Sequence, residues 1–210
     1  MSEQRAGATS RGELVSSWPV LPLRAPPLAA VRSTIVSSGL AALRARSLET
    51  RYLSHLPRER HAAVESLIAG TWLPTDFAMA HYQACEEMNL PFEEALAIGT
   101  AVGARVHETL LGTVKKLAAA AGVTPWTALA QYDRLWQRTF DGGGFTITRT
   151  GPKDALVHIT QMPLARFAYF RASYCGVNLA GLRLFATNAY VRLLPHGMSD
   201  HSYSFRASWV

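Results

Sequence analysis

Two histidines are the first candidates for a functional role in this sequence, because imidazole can act as an acid, a base or a metal ligand near neutral pH. His107 stands next to Glu108 in a helical pattern, where it could form an acid–base pair or bind haem iron. His158 belongs to an alternating strand pattern, so its side chain either lines a cavity or faces solvent. Both histidines are candidate ligand-binding residues and His107 is the candidate haem ligand, but for His107 a place on the helix surface or at the edge of the core is favoured.

His81 and Cys85 form a second candidate. They lie four residues apart in a helical pattern and therefore share one face of the helix. A zinc site needs further ligands, and no second pair of cysteine or histidine residues lies nearby in the sequence. We predict that both side chains pack in the core and that the chain has no metal site.

Enzyme signatures are missing from the sequence. It has no Gly-x-Ser-x-Gly elbow for a serine nucleophile, no Gly-x-x-x-x-Gly-Lys phosphate loop and no dinucleotide fingerprint. The run 142–144 is three glycines, but it precedes a strand rather than a helix, which is typical of a turn. We predict no catalytic residues and a non-enzymatic protein.

Arginines and aromatic residues interleave near the end of the chain. Arg166, Arg171 and Arg183 share a helical pattern with three aromatic residues. Such a set can bind single-stranded nucleic acid, and it also suits a solvated helix edge above an aromatic core. We predict that these arginines bind a protein partner, with nucleic-acid binding as a less favoured alternative.

The first 30 residues predict an extended arm. Its four prolines between positions 19 and 27 exclude a helix, because each proline lacks a donor and restricts the residue before it. Trp18, Leu21 and Leu23 make the arm too apolar for a solvated tail. We expect it to lie in a groove of its own domain or of a partner, and these three residues are partner-binding candidates.

Composition and charge set the broad class. The 210 residues are 49% hydrophobic and 17% charged, which excludes a largely disordered chain. An acidic stretch, residues 61–143, lies between two basic ends, a pattern that suits charge matching. The two cysteines fit buried free thiols in a reducing compartment, and no apolar run reaches membrane-spanning length. We predict a cytoplasmic protein without a membrane span.

The element pattern predicts one α+β domain over residues 31–210, after an arm over residues 1–30. Residues 31–141 are mainly helical, with about six helices in all. Residues 142–210 have the pattern strand, strand, helix, strand, strand, and Gly176 weakens the helix. This predicts a four-stranded antiparallel sheet with one helix on its face.

The layout resembles that of haem nitric-oxide/oxygen-binding (H-NOX) domains, beginning with the segment from Thr34 to Arg44. Those domains open with a short strand and a helix, and they end in the same strand–strand–helix–strand–strand module. The chain is also similar to an uncharacterised myxobacterial paralogous family of about 200 residues. That similarity rests on segments 106–114, 143–148 and 169–171, and the resemblance covers about residues 32–210.

The resemblance implies a test for haem. Haem-binding H-NOX members carry a proximal His on a helix and a later Tyr-x-Ser-x-Arg segment that holds the haem propionates. His107 could take the place of the proximal His. The region after the second strand, residues 160–167, has no such segment, and residues 169–173 have the residue types in another order. We therefore predict that the scaffold is kept, that no cofactor is bound and that haem is disfavoured.

Together these patterns predict a regulatory or interaction module. It would bind a protein partner through the arm or the basic faces, or a small apolar ligand between helices and sheet. The alternatives are a haem-based gas sensor that uses His107 and a nucleic-acid-binding protein that uses the arginine and aromatic face. A homo-oligomer is compatible with the same patterns.

Overall fold

A computed structural model describes residues 12–19, 24–118 and 124–210, without the side chains of residues 107–118. The helices of this part are α1 (Ser33–Arg44), α2 (Glu49–His55), α3 (His61–Glu65), α4 (Thr75–Glu87), α5 (Phe92–Ala118), α6 (Pro125–Leu129), α7 (Tyr132–Thr139) and α8 (Ala168–Leu182). The strands are β1 (Glu13–Trp18), β2 (Ala30–Arg32), β3 (Trp72–Pro74), β4 (Phe140–Asp141), β5 (Gly144–Gly151), β6 (Asp154–Thr160), β7 (Ala189–Ser199) and β8 (Ser202–Trp209). None of these helices has the length and apolar character needed to cross a membrane.

The main sheet is antiparallel, with the strand order β1-β5-β6-β8-β7. Its strands alternate between a buried and an open face. In β8, Tyr203, Phe205 and Ala207 are buried, whereas Arg206 is exposed. α8 packs on the buried face. The α+β class and the strand–strand–helix–strand–strand module that the sequence predicts are confirmed.

The sheet has five strands rather than the predicted four, because part of the arm joins it. β1 pairs with β5, and Trp18 lies opposite Phe145. The Trp18 side chain packs against the core of its own domain. The sequence pattern did not predict this strand, because its serines and exposed glutamate are typical of a sheet edge rather than of a buried strand. The domain boundary near residue 30 stays a prediction.

A second sheet, with the order β3-β2-β4, joins the helices to the main sheet. Its central residue is Val31, which is fully buried and pairs with Leu73 on one side and Phe140 on the other. β2 runs directly into α1, and β4 directly follows α7. This small sheet therefore sets where α1 begins and where α7 ends.

Glycines bring α5 and α8 into backbone contact. A Cβ atom at Gly99 would lie 1.8 Å from the carbonyl oxygen of Ser173, and one at Gly176 would lie 2.1 Å from that of Leu96. Both distances are far below van der Waals contact, so both positions require glycine. α8 runs unbroken through Gly176, where the pattern predicted a weak point, because close packing outweighs the low helix propensity of glycine.

Candidate functional site

One face of α7 forms the wall of an apolar cleft in the middle of the molecule. Tyr132, Leu135, Trp136 and Thr139 have the i, i+3, i+4, i+7 spacing that places side chains on one side of a helix. All four residues line the cleft. Tyr132 and Trp136 are 7% and 1% exposed, respectively. The amphipathic pattern of α7 therefore builds one side of the cleft.

The other walls come from elements that are distant in sequence. They include Ile35 on α1, Val106 on α5, Tyr174 and Val177 on α8, and Phe205 on β8. We call the space between α1, α5, α7, α8 and β8 the central cleft. The part of it open to the centre of a water molecule measures about 60 Å³. Its apolar and aromatic lining suits an apolar ligand.

Two phenols provide polar atoms inside the central cleft. The Tyr132 hydroxyl donates to the Tyr174 hydroxyl at 3.0 Å. The Asn178 amide, which also lines the cleft, donates to the backbone carbonyl of Tyr174 at 2.8 Å. Burial raises the pKa of both phenols above the ordinary value, so both are neutral near pH 7. Among the described side chains, the cleft thus offers a ligand hydroxyl and amide groups rather than imidazole or thiolate.

A second cavity adjoins the central cleft and is bordered by two arginines. We call it the arginine mouth, and its volume is about 290 Å³. It is lined by Arg32, Thr34, Ile35, Gly70, Val106, Arg138 and Thr139. Ile35, Val106 and Thr139 line both cavities, so the two spaces meet at these side chains.

The guanidinium of Arg32 is held in place at the arginine mouth. It lies over the Trp72 ring, 4.0 Å from the ring centre. It donates to the carbonyl oxygens of Gly70 at 2.8 Å and of Arg138 at 3.3 Å. Within the described ranges, neither Arg32 nor Arg138 forms an ion pair with a carboxylate. The mouth therefore carries two positive charges without a paired acid.

α7 also connects the central cleft to the main sheet. The Trp136 indole donates to the carbonyl oxygen of Gly142 at 3.1 Å, just before β5. The rings of Tyr132 and Trp136 lie 4.7 and 5.2 Å from that of Phe145, measured between ring centres. A shift of α7 would therefore be transmitted directly to the start of β5.

His81 and Cys85 lie in the core. His81 is 2% exposed, its Nδ1 lies 2.8 Å from the Tyr52 hydroxyl, and its Nε2 lies 3.9 Å from Cys85 Sγ. Burial lowers the pKa of His81 to about 4 and raises that of the Cys85 thiol. Both groups are therefore neutral near pH 7. In the part of the chain that the structure describes, no three His, Cys, Asp or Glu residues group as a metal ion would require.

The two candidate histidines lie in different places. His107 is on α5, directly after the cleft residue Val106, but its side chain is outside the described residues. His158 is on β6, where it alternates with fully buried neighbours and faces the open side of the main sheet. Its Nδ1 lies 2.9 Å from the Ser204 hydroxyl. His158 therefore does not reach the central cleft.

The three candidate arginines near α8 are not brought together. Arg166 precedes α8 and forms an ion pair with Asp200 at 3.0 Å. Arg171 lies in the first turn of α8 and donates to the carbonyl oxygen of Ala165. Arg183 is exposed at the opposite end of α8, about 18 Å along the helix axis from Arg171 at 1.5 Å per residue. A single basic face is therefore not formed by these three residues.

The arm candidates are only partly described. Trp18 is half-buried on β1, whereas Leu21 and Leu23 fall outside the described residues. Binding of a protein partner or nucleic acid, self-association, a cytoplasmic location and the lack of enzymatic activity stay predictions.

The residues that line the cleft and its mouth differ from the site residues that the sequence predicts. For Tyr132 the sequence does contain a pattern that indicates an inward-facing side chain, since this residue starts the apolar stripe of α7. Arg138 sits beside that stripe near the end of the helix, which marks it as a polar border residue. Arg32 carried no local signal, because its position at the mouth depends on β2 pairing with β4.

Comparisons with known proteins give a fold match only. No protein-family model matches the chain, and no curated protein does. A mutant Fe(II) unliganded H-NOX protein from K. algicida matches with a TM-score of 0.63 and 10% identity, over 85% of this chain and 96% of its own. A mutant H-NOX protein from S. oneidensis in the Fe(II) ligation state has a TM-score of 0.51 and 13% identity, over 85% and 96%. A structure from a study of haem distortion in the H-NOX family matches with a TM-score of 0.56 and 13% identity, over 85% of this chain and 94% of its own.

These matches correct the prediction that the chain takes no cofactor. That prediction relied on the missing Tyr-x-Ser-x-Arg segment. The matching structures contradict it, because they are H-NOX proteins described with Fe(II) or with haem. A missing segment changes side chains but leaves the fold, and the structure retains an apolar cleft between helices and sheet. Myxobacterial origin stays a prediction, whereas the chain has an H-NOX-like α+β fold.

Proposed function

We propose that the chain is a haem-based gas-sensing domain that holds its haem in the central cleft. The observation that supports this most strongly is an apolar, aromatic cleft between helices and sheet in a chain whose fold matches H-NOX proteins over 85% of its length. Haem, when bound, would supply an iron atom that can bind a diatomic gas.

The residues of the central cleft fit a haem group. Trp136, Val177 and Phe205 offer apolar and aromatic surface that excludes water. Among the described side chains Tyr132 is the residue that would hold the haem iron, since a tyrosine ligand to haem iron is known in catalase. His107 is the second candidate, because it follows the cleft residue Val106 on α5.

Tyr132 must lose its proton to act as a ligand. Burial keeps its pKa high in the absence of a nearby cation, and a bound metal cation reverses that effect. The Tyr174 hydroxyl, which accepts from Tyr132 at 3.0 Å in the neutral pair, would become the donor if Tyr132 were deprotonated. Tyr174 would therefore stabilise the charged form of Tyr132.

A ligand the size of haem has to displace a wall, since only about 60 Å³ of the central cleft is open to the centre of a water molecule. The contact of α5 with α8 at Gly99 and Gly176 is tight on both sides and resists opening. α7 is about two turns long, much shorter than α5 and α8, and we propose that it is the wall that moves. Through Trp136 its movement would reach Gly142 and β5, which gives the domain a route for reporting ligand binding.

Titration of purified apo-protein with haemin, followed by Soret absorbance, tests this function. We expect saturable binding, and a shifted Soret band on addition of nitric oxide after reduction. Tyr132→Phe and His107→Ala separate the two candidate ligands, since only the true ligand should change the Soret position. His158→Ala is the matched control, because His158 faces the open side of the sheet.

A cleft-filling variant gives the refuting comparison. Ala128 lines the central cleft and is only partly buried, so Ala128→Trp should block the cleft while the fold persists. If Ala128→Trp binds haemin as well as the unmodified protein does, haem is not held in the central cleft. If the unmodified protein shows no saturable binding, the proposed function fails.

A further inference from the structure

We infer that the arginine mouth binds the acidic group of the molecule whose apolar body occupies the central cleft, with Arg138 and Arg32 as the anion-binding residues. The inference rests on the proposed function only in taking the central cleft as a ligand site. It names the ligand class: an apolar body that carries at least one carboxylate. Haem and long-chain fatty acids share this chemistry.

Adjacency of the two cavities supports this assignment. Ile35, Val106 and Thr139 line both the central cleft and the arginine mouth. A molecule that fills the cleft and extends past these side chains enters a cavity of about 290 Å³ bordered by two guanidinium groups. The path thus changes from apolar to cationic in one direction, which orients an amphipathic ligand with its acid outward.

Charge at the mouth favours an anion. Among the side chains that the structure describes, the lining contains Arg32 and Arg138 but no aspartate or glutamate. Within the described residues both guanidinium groups lack a carboxylate partner. Arginine presents a planar fork of donors that matches a carboxylate, so the mouth favours a carboxylate over a neutral polar group.

The two arginines have different parts in this site. Arg32 is held by the Trp72 ring and by two backbone carbonyls, and its remaining donors are fixed in direction. Arg138 is exposed, and its side chain makes no hydrogen bond to a described residue. A structural role explains Arg32 without a ligand, whereas the described residues give the Arg138 guanidinium no such role. Arg138 is therefore the residue on which the inference is tested.

Three ligands and one matched pair of variants test the inference: haemin, haemin dimethyl ester and palmitate, titrated into Arg138→Gln and Arg134→Gln. Arg134 is exposed one turn earlier on α7 and does not line the mouth. We expect Arg138→Gln to weaken binding of haemin or palmitate about tenfold, the loss of one charge-assisted contact. Arg134→Gln should bind as the unmodified protein does, and the ester should bind both variants equally. Soret absorbance reports haemin, and quenching of tryptophan fluorescence reports palmitate.

The outcomes distinguish this inference from the proposed function. If haemin binds the unmodified protein and Arg138→Gln equally, the inference is overturned while the haem proposal stands. If haemin does not bind but palmitate binds with dependence on Arg138, the haem proposal fails and the inference holds. If the ester and haemin lose the same affinity in Arg138→Gln, the carboxylate is not the recognised group and the inference is overturned.

Discussion

Acid should destabilise this protein through His81, and the size of the effect follows from its surroundings. His81 is 2% exposed, and the titratable side chains in contact with it are Tyr52, Tyr82 and Cys85. Burial raises the pKa of all three, so none is negatively charged near pH 7. A protonated imidazole at this site would be a buried cation without a counter-charge, and the pKa of His81 is accordingly about 4.

The free energy of unfolding should fall as the pH falls. In the unfolded chain His81 binds a proton near its ordinary pKa of 6.5, whereas in the folded protein it does so only near 4. Between these values the unfolded state holds more protons, so acid favours unfolding. The loss is about 1.4 kcal/mol for each pH unit below 6.5 and reaches about 3 kcal/mol for the whole window.

Urea unfolding of the unmodified protein and of His81→Gln, at pH of about 7 and about 5, measures this contribution. Glutamine keeps a hydrogen-bonding group but does not titrate. We expect the unmodified protein to lose about 2 kcal/mol more than the variant over this interval. His201→Gln, a change of the same kind at an exposed position, controls for the loss of a histidine in general and should behave as the unmodified protein does.

Comparison with a variant is needed because burial also lowers the pKa of His158, which adds to the acid sensitivity in the same direction. That contribution is common to the unmodified protein and His81→Gln, and it cancels in the difference. Equal losses for the two proteins would refute the reasoning. So would a His81 imidazole resonance that titrates near pH 6.5 in the folded state.

Two further predictions concern packing. Gly99→Ala should destabilise the fold by about 2 kcal/mol or more, because its Cβ would meet the Ser173 carbonyl. The control variant Ala104→Gly, on the exposed side of α5, should lower the free energy of unfolding by about 1 kcal/mol. Equal urea midpoints for the two variants would contradict the predicted contact. Removal of residues 1–18 should cost about 2 kcal/mol, since the half-buried Trp18 and the pairing of β1 with β5 are lost. The melting temperature should then fall by about 4–8 °C, and an unchanged value would show that β1 adds nothing.

Much of the α+β fold could be predicted because its signals are local. The alternation in β8 and the stripe of Tyr132, Leu135 and Trp136 in α7 are periodic patterns that a short window contains. The strand β1 was missed because an edge strand needs little apolar content. Gly176 was misjudged because helix propensity is local, whereas the backbone contact with α5 is not.

The candidate site was less predictable, because residue type alone did not indicate position. His158 and His81 carry the same side chain, yet one faces the open side of the sheet and the other lies in the core beside Tyr52. The absence of a Tyr-x-Ser-x-Arg segment predicts that no cofactor is bound, and this prediction is wrong because a cavity is formed by packing and not by a motif. Periodicity identifies which face of an element is buried, but it does not show where packing leaves space.

By itself, the sequence determined the fold class, the module at the end of the chain and the apolar face of α7, since these follow from hydrophobic periods within single elements. Only the tertiary structure decided that Arg32 and Arg138, separated by 106 positions, border one cavity beside the central cleft. The physical reason is that β2 pairs with β4, which brings the start of α1 to the end of α7. That pairing places two guanidinium groups, neither of which forms an ion pair with a described carboxylate, beside an apolar space.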